Sequence, residues 1–376
     1  MLNTKFDDIR PYVDEEIPAA MKRIAESEYF PAIARFVFPE KELTEAQKML
    51  HSYNSIRDFQ LEAMYAFNNQ VLLQTADKFT YSGTQHLDPA KRYLFISNHR
   101  DIVLDSSLLQ FALNFEGHRT SEITFGSNLM SSQLIIDIGR SNKMFKVMRG
   151  ENPRDFYKTS HYLSEYIRHT ITQKGESIWI AQRSGRTKDG NDATDQGILK
   201  MFHMSGGKDI AQSLHELNIA PIAISYQWEP CDFFKTKELY LSRNDVKYIK
   251  GKNEDFISVL TGITQPKGNI HISFCEPLHE DELQLLANGK SSNDFFKDVV
   301  HLIDQRIYTN YKLHDTNFIA HDVRSGTSQF AFHYSVEQKE KFLQLFHHVT
   351  KKIEGDKDII RSIFLGIYAN PVDKLF

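Results

Sequence analysis

The stretch Phe95-Ile-Ser-Asn-His-Arg-Asp-Ile-Val-Leu-Asp105 constrains this chain more than any other. Phe95 and Ile96 make the short apolar run of a buried strand. Asn98 and His99 fall where that strand should end. Leu104, Leu108, Leu109 and Leu113 then recur at helical spacing. A strand that passes through polar residues into a helix is the building step of an α/β layer fold. It also leaves an imidazole at the strand's end with Asp101 and Asp105 in reach, the minimum of a general base and an orienting carboxylate.

The rest of the chain repeats that alternation. Short strands are expected at Phe79 to Thr84, Tyr93 to Ser97, Ile123 to Gly126, Ser177 to Ala181, Ile222 to Tyr226 and Ile270 to Phe274, with helical segments between most of them. The implied class is α/β, with a mostly parallel central sheet flanked by helices. Residues 1–77 read as an N-terminal helical region. Pro18 stands near a helix start, Thr44 with Gln47 fits a capping box, and Ile56, Phe59, Ala63 and Phe67 share one face. Residues 78–310 form the α/β domain. Residues 311–376 form a C-terminal helical extension, in which Ser335 and Gln338 fit a capping box, Gly355 a stop, and two apolar stripes a helical hairpin.

Composition removes several function classes. An apolar share of 41% supports a packed core rather than disorder. A net charge of −4 gives no global field for nucleic acid, so any anion site must be local. Cys231 and Cys275 cannot make a disulfide framework, lack zinc-site spacing and point to a reducing compartment. The first residues are too polar for a signal peptide. No window reaches the ~20 apolar residues of a spanning helix. A lipid substrate would therefore be met from the membrane surface, with a minority of the 27 phenylalanines and 16 tyrosines forming the contact. No Gly-x-Ser-x-Gly elbow, Walker loop, dinucleotide fingerprint or His-Glu-x-x-His occurs. His99-Arg100-Asp101 lacks the asparagine and glycine-rich loop of a kinase.

The Asn98-His99…Asp105 stretch resembles the first motif of the glycerolipid acyltransferases, the glycerol-3-phosphate and 1-acylglycerol-3-phosphate acyltransferases. That family separates its histidine and aspartate by four residues, and here five intervene between His99 and Asp105. Gly139 to Arg149 is similar to the second motif, and Ile178 to Lys188 to the third, a strand running into a Gly/Arg loop. Ala220 to Tyr226 is similar to the fourth, and Ile270 to Leu278 to the strand that follows. The third motif offers Gln182 or Ser184 where the family carries glutamate, and retains Arg183 and Arg186.

The resemblance implies acyl transfer to a hydroxyl in phospholipid synthesis. An alcohol is a poor nucleophile at neutral pH, so a base is needed, and a histidine base contributes about 10²- to 10⁴-fold. His99 is the expected base and Asp105 its partner, with Asp101 the alternative partner or a helix cap. Arg149, Arg183, Arg186 and Lys188 are expected to bind phosphate, with Gly185 permitting close backbone approach. Lys143 and Lys146 read as a solvated face. A thioester is a good leaving group, so neither metal nor cofactor is called for. The implied donor is an acyl carrier protein or coenzyme A thioester, or an acyl phosphate. The implied acceptor is glycerol 3-phosphate or lysophosphatidate, with a slight lean to the former. The expected location is cytoplasmic, peripheral to the inner membrane face. Other readings are an acyltransferase for an amino-acid lipid or other acceptor, and a catalytically silent lipid-binding protein of the same fold.

Overall fold

A computed structural model of the protein describes residues 4–148, 152–244, 248, 249, 251 and 253–376. Seven strands form one sheet: β1 (Ala76–Ser82), β2 (Leu94–Ser97), β3 (Glu122–Gly126), β4 (Met144–Val147), β5 (Ile178–Ala181), β6 (Ile219–Tyr226) and β7 (Gly268–Phe274). Their order is β1-β7-β6-β2-β5-β3-β4. Pairing is parallel throughout except between β6 and β7. The α/β, mostly parallel class expected from the sequence is the observed one.

β2 is central, with β5 and β6 as neighbours, and all four of its residues are buried. Its side chains alternate between two cores: Leu94 and Ile96 join Ile178 and Ile180 on one face, while Phe95 joins Trp179, Ile222 and Ile224 on the other. A strand buried on both faces reads as a continuous apolar run, as Leu94-Phe95-Ile96 does. Each such side chain contributes about 1.5–3 kcal/mol when fully buried. Pro221 lies inside β6, where it pairs with Ile96, and its carbonyl accepts from the Cys275 amide where β7 leaves the sheet.

The strand absent from the sequence reading is β4. Met144 to Val147 has no period of its own, and only pairing to β3 makes it extended. The Thr44–Gln47 capping box does not form. Glu42 is the N-cap of the Leu43–Ser52 helix without a side-chain cap bond, and Gln47 reaches instead to the Ala25 carbonyl (3.1 Å). Tertiary packing claims the glutamine that a local cap would have used. The Ser335–Gln338 box does form. The helices Val336–Lys352 and Lys357–Asp373 make a hairpin around Phe342, Phe346, Phe364 and Tyr368, packed on Trp228 and Tyr240. Among the described residues no helix is long and apolar enough to cross a membrane.

Candidate active site

β2 ends at Ser97, and the next two residues leave the sheet in opposite directions. Asn98 is fully buried and ties the strand end to its neighbours. Its amide nitrogen donates to the Ile224 carbonyl (2.9 Å) and to Asp192 (3.1 Å), and its oxygen accepts from the Ile224 amide (2.8 Å). His99 turns to the other face, edge-on to Trp179 with ring centroids 5.5 Å apart.

His99 Nδ1 lies 2.8 Å from Asp105 Oδ2. Asp105 sits in the first turn of the Leu104–Phe115 helix and is fully buried. Its Oδ2 also accepts from the backbone amides of Arg100 (2.5 Å) and Asp101 (2.9 Å), and its Oδ1 accepts from the Tyr226 hydroxyl (2.7 Å). Burial pushes this carboxyl up, but the His99, Tyr226 and Asp101 hydrogen bonds outweigh it and hold it below the usual carboxylate range. An ionised carboxylate only accepts, so Nδ1 carries the proton and Nε2 presents its lone pair. The His99 side chain is 14% exposed, so that lone pair can meet a small molecule.

Asp101 is not bonded to His99. Its Oδ1 accepts from the amides of Val103 and Leu104, both 2.9 Å, and so caps the helix start. Its other oxygen faces Gly262, where an added Cβ would lie 2.2 Å away. The extra residue between His99 and Asp105 is thus absorbed in a capped turn, which delivers the carboxylate to the imidazole.

The loop after β5 is stitched to the histidine through its backbone: the Thr187 amide donates to the His99 carbonyl (2.7 Å). This loop carries Arg183, Gly185 and Arg186. Both arginines are half-buried, and among the described residues neither makes an ion pair with a carboxylate. Arg186 buries Nη1 without a hydrogen-bond partner. Burial pushes the neighbouring Cys231 thiol up, Asp101 adds to the effect, and the Arg186 guanidinium opposes it, which places that cation near the thiol. Gly185 adopts φ +75°, a left-handed conformation that favours glycine. Lys188, further along the same loop, is ion-paired. Its ammonium is 2.5 Å from Glu238, which neutralises its charge. Arg149 lies outside the described residues. Gln182, at a position where the resemblance leads one to expect glutamate, is fully buried with no partner for its side-chain amide; Ser184 is exposed.

Behind the site lies a buried charge network with no motif to announce it. The fully buried Arg100 guanidinium reaches Asp192 (2.7 Å) and Glu229 (3.2 Å). Lys235 binds the other Glu229 oxygen (2.5 Å) and the Arg100 carbonyl (2.7 Å). Two cations and two anions balance, which is the condition for charges to survive away from water. Burial pulls Arg100 down, but Asp192 and Glu229 more than reverse this, so it stays charged. The Lys357–Asp373 helix closes the network. The Tyr368 hydroxyl accepts from the Glu229 amide (3.1 Å) and donates to Asp232 (2.9 Å), and Asn370 donates to the Asp189 carbonyl (2.7 Å).

Among the described residues no group of three or more His, Cys, Asp or Glu could hold a metal ion. The arrangement suits proton transfer at an oxygen: a polarised, partly exposed imidazole and an adjacent loop whose two guanidiniums meet no carboxylate among the described residues.

A family model described as Acyltransferase matches residues 78–225. Comparison with curated protein sequences finds no match. Among solved structures the chain is similar to the 1-acyl-sn-glycerophosphate (LPA) acyltransferase PlsC from Thermotoga maritima, at 12% identity and a TM-score of 0.37, over 79% of this chain and 96% of that one. His99, Asp105, Arg183 and Arg186 all fall inside the segment that this family model matches.

Proposed function

We propose that the protein transfers a fatty acyl group from an acyl carrier protein or coenzyme A thioester, or an acyl phosphate, to the hydroxyl of a phosphorylated glycerol acceptor, glycerol 3-phosphate or its monoacyl form, in phospholipid synthesis. The observation that carries this reading is His99, held through Nδ1 by an ionised Asp105 and partly exposed, beside a loop whose two arginines pair with no carboxylate among the described residues. Nε2 takes the hydroxyl proton as the oxygen attacks the acyl carbonyl. The tetrahedral intermediate collapses, the bond to sulfur breaks, and the imidazolium returns its proton to the leaving thiolate. Asp105 stabilises the imidazolium in between. Arg183 and Arg186 hold the acceptor phosphate, and Arg149 is a third candidate from its place in the second motif. Buried, unpaired Cys231 and Cys275 support a reducing, cytoplasmic setting, with the protein peripheral to the membrane.

The experiment is thiol release from an acyl thioester, with and without glycerol 3-phosphate or lysophosphatidate. Release that depends on acceptor, lost in His99→Ala while acceptor binding persists, is expected; undiminished turnover in that variant would reject the mechanism. Arg186→Ala should mainly raise the acceptor KM, roughly 10- to 100-fold for a lost charged hydrogen bond. Gln182 supports a second reading, a silent lipid-binding protein, because it replaces a carboxylate with an unpartnered amide. Acceptor binding without any thiol release would select it.

A further inference from the structure

The parallel strands β2, β3 and β4 all leave the sheet at the end where His99 sits, and β7, antiparallel to β6, enters from that end. The segments bordering this end are unusually apolar on their outer sides. Beyond β4, Met148 is 44% exposed, and the start of the Pro153–His169 helix presents Phe156 and Tyr157 at 64% and 63%. Before β7, the Glu254–Thr264 helix presents Phe256, Ile257 and Leu260 at 58%, 47% and 45%.

The second helix shows that this exposure is one-sided. Its inner face packs on the site: the Cys231 thiol reaches the Ser258 carbonyl (3.2 Å), and Gly262 lies against Asp101. The helix therefore carries a polar-compatible face toward the catalytic turn and an apolar face outward. On the opposite flank the aromatic pair is bracketed by Arg154 and Lys158, with the Asp155 carboxylate turned to Asn152. Both cations are exposed, and among the described residues neither pairs with a carboxylate.

Aromatic side chains among unpaired cations suit an interface that is apolar a few ångströms down and negatively charged at its surface. A second copy of a chain with net charge −4 offers the negative sign but no layered surface. We propose that the protein docks end-on against an anionic lipid surface through Met148, Phe156 and Tyr157 on one flank and Phe256, Ile257 and Leu260 on the other, with Arg154 and Lys158 contacting headgroups. The His99 mouth then opens toward the layer that holds acyl chains. The choice of a lipid occupant rests on the acyltransferase reading; the binding itself is measured without turnover.

The test is co-sedimentation of the full chain with vesicles of phosphatidylcholine alone or with about a third of anionic phosphatidylglycerol. Wild type should bind the mixed vesicles. Arg154→Glu with Lys158→Glu should lower that binding tenfold or more, at roughly 1 kcal/mol per cation removed, while barely changing binding to neutral vesicles. Phe156→Ser with Tyr157→Ser, and separately Ile257→Ser with Leu260→Ser, should weaken binding to both. These side chains are exposed, so an unchanged melting temperature serves as the folding control. Absence of wild-type binding, indifference to all three pairs, or a dimer that the same substitutions dissociate would each overturn the proposal. Vesicle binding without turnover on any donor and acceptor would leave docking standing and remove the acyltransferase reading; turnover on soluble short-chain substrates without vesicle binding would do the reverse.

Discussion

The Tyr226 hydroxyl donates to Asp105 Oδ1 at 2.7 Å, on the side of the carboxylate away from His99. Burial, followed by the Asp105 charge, drives this phenol well above its ordinary range, so it remains a donor at any working pH. The last residue of β6 thus holds the carboxylate that holds the imidazole.

Tyr226→Phe removes one of four donors and leaves the carboxylate buried. A hydrogen bond to a charged group contributes about 1.5–3 kcal/mol, so kcat should fall roughly 10- to 100-fold. Losing a donor also raises the Asp105 pKa from its depressed position, because the anion loses stabilisation while burial still penalises it. The acid limb of the pH–kcat profile should move to higher pH. A uniform drop with no movement of that limb would mean Tyr226 acts only on folding.

Asp105→Asn and Asp101→Ala should separate orientation from capping. The first should cost on the order of 10³-fold or more in kcat, as loss of an orienting carboxylate does elsewhere. Asp101→Ala should cost about 1 kcal/mol of stability as a lost cap, with a smaller effect on kcat. Turnover and urea midpoints measured on the same preparations decide it; equal, mild effects on turnover would remove Asp105 from its role.

Asp232 offers a stability test with a definite sign. Burial raises its pKa to about 6 from 3.8, against the opposing Tyr368 hydrogen bond. Below about pH 4 the carboxyl is protonated in both folded and unfolded chains, and burial carries no charge penalty. As pH rises through 6 the folded chain must hold a buried anion, and that stability is lost. Asp232→Asn should therefore stabilise the protein by on the order of 3 kcal/mol at pH 8 and by only about a third of that at pH 4.5, where the unfolded carboxyl has just begun to ionise alone. Chemical denaturation at the two pH values measures the difference, and an equal gain at both would exclude a charge origin.

Gly190 should tolerate no side chain. It adopts φ +75°, and an added Cβ would lie 2.2 Å from the Ile367 carbonyl oxygen. Its own carbonyl accepts from Arg100 (3.4 Å). Gly190→Ala should destabilise the chain by about 1–3 kcal/mol. It should also lower kcat through the displaced Arg100 network, while Gly185→Ala, with open space around it, should leave stability less affected. A melting-temperature series checks both.

What one local segment states, the sequence alone determined. Phe95 and Ile96 announce a buried strand, and Leu104, Leu108, Leu109 and Leu113 a helix, because burial on one face imposes a period on the residues themselves. His99 between them follows from the same short stretch, as does the alternation that makes the fold α/β. β4 escaped because its extended shape comes from pairing with β3, and no period within four residues can record a partner. The Thr44–Gln47 cap failed because Gln47 found a carbonyl on another helix. Only the tertiary structure decided between Asp101 and Asp105, since a capped turn rather than residue count brings a carboxylate to the imidazole. It alone joined Tyr226 to Asp105, Lys188 to Glu238, Arg100 to Asp192 and Glu229, and Tyr368 to Asp232. Each of those links closes across dozens of residues, and the energy that makes them exists only once water has been excluded.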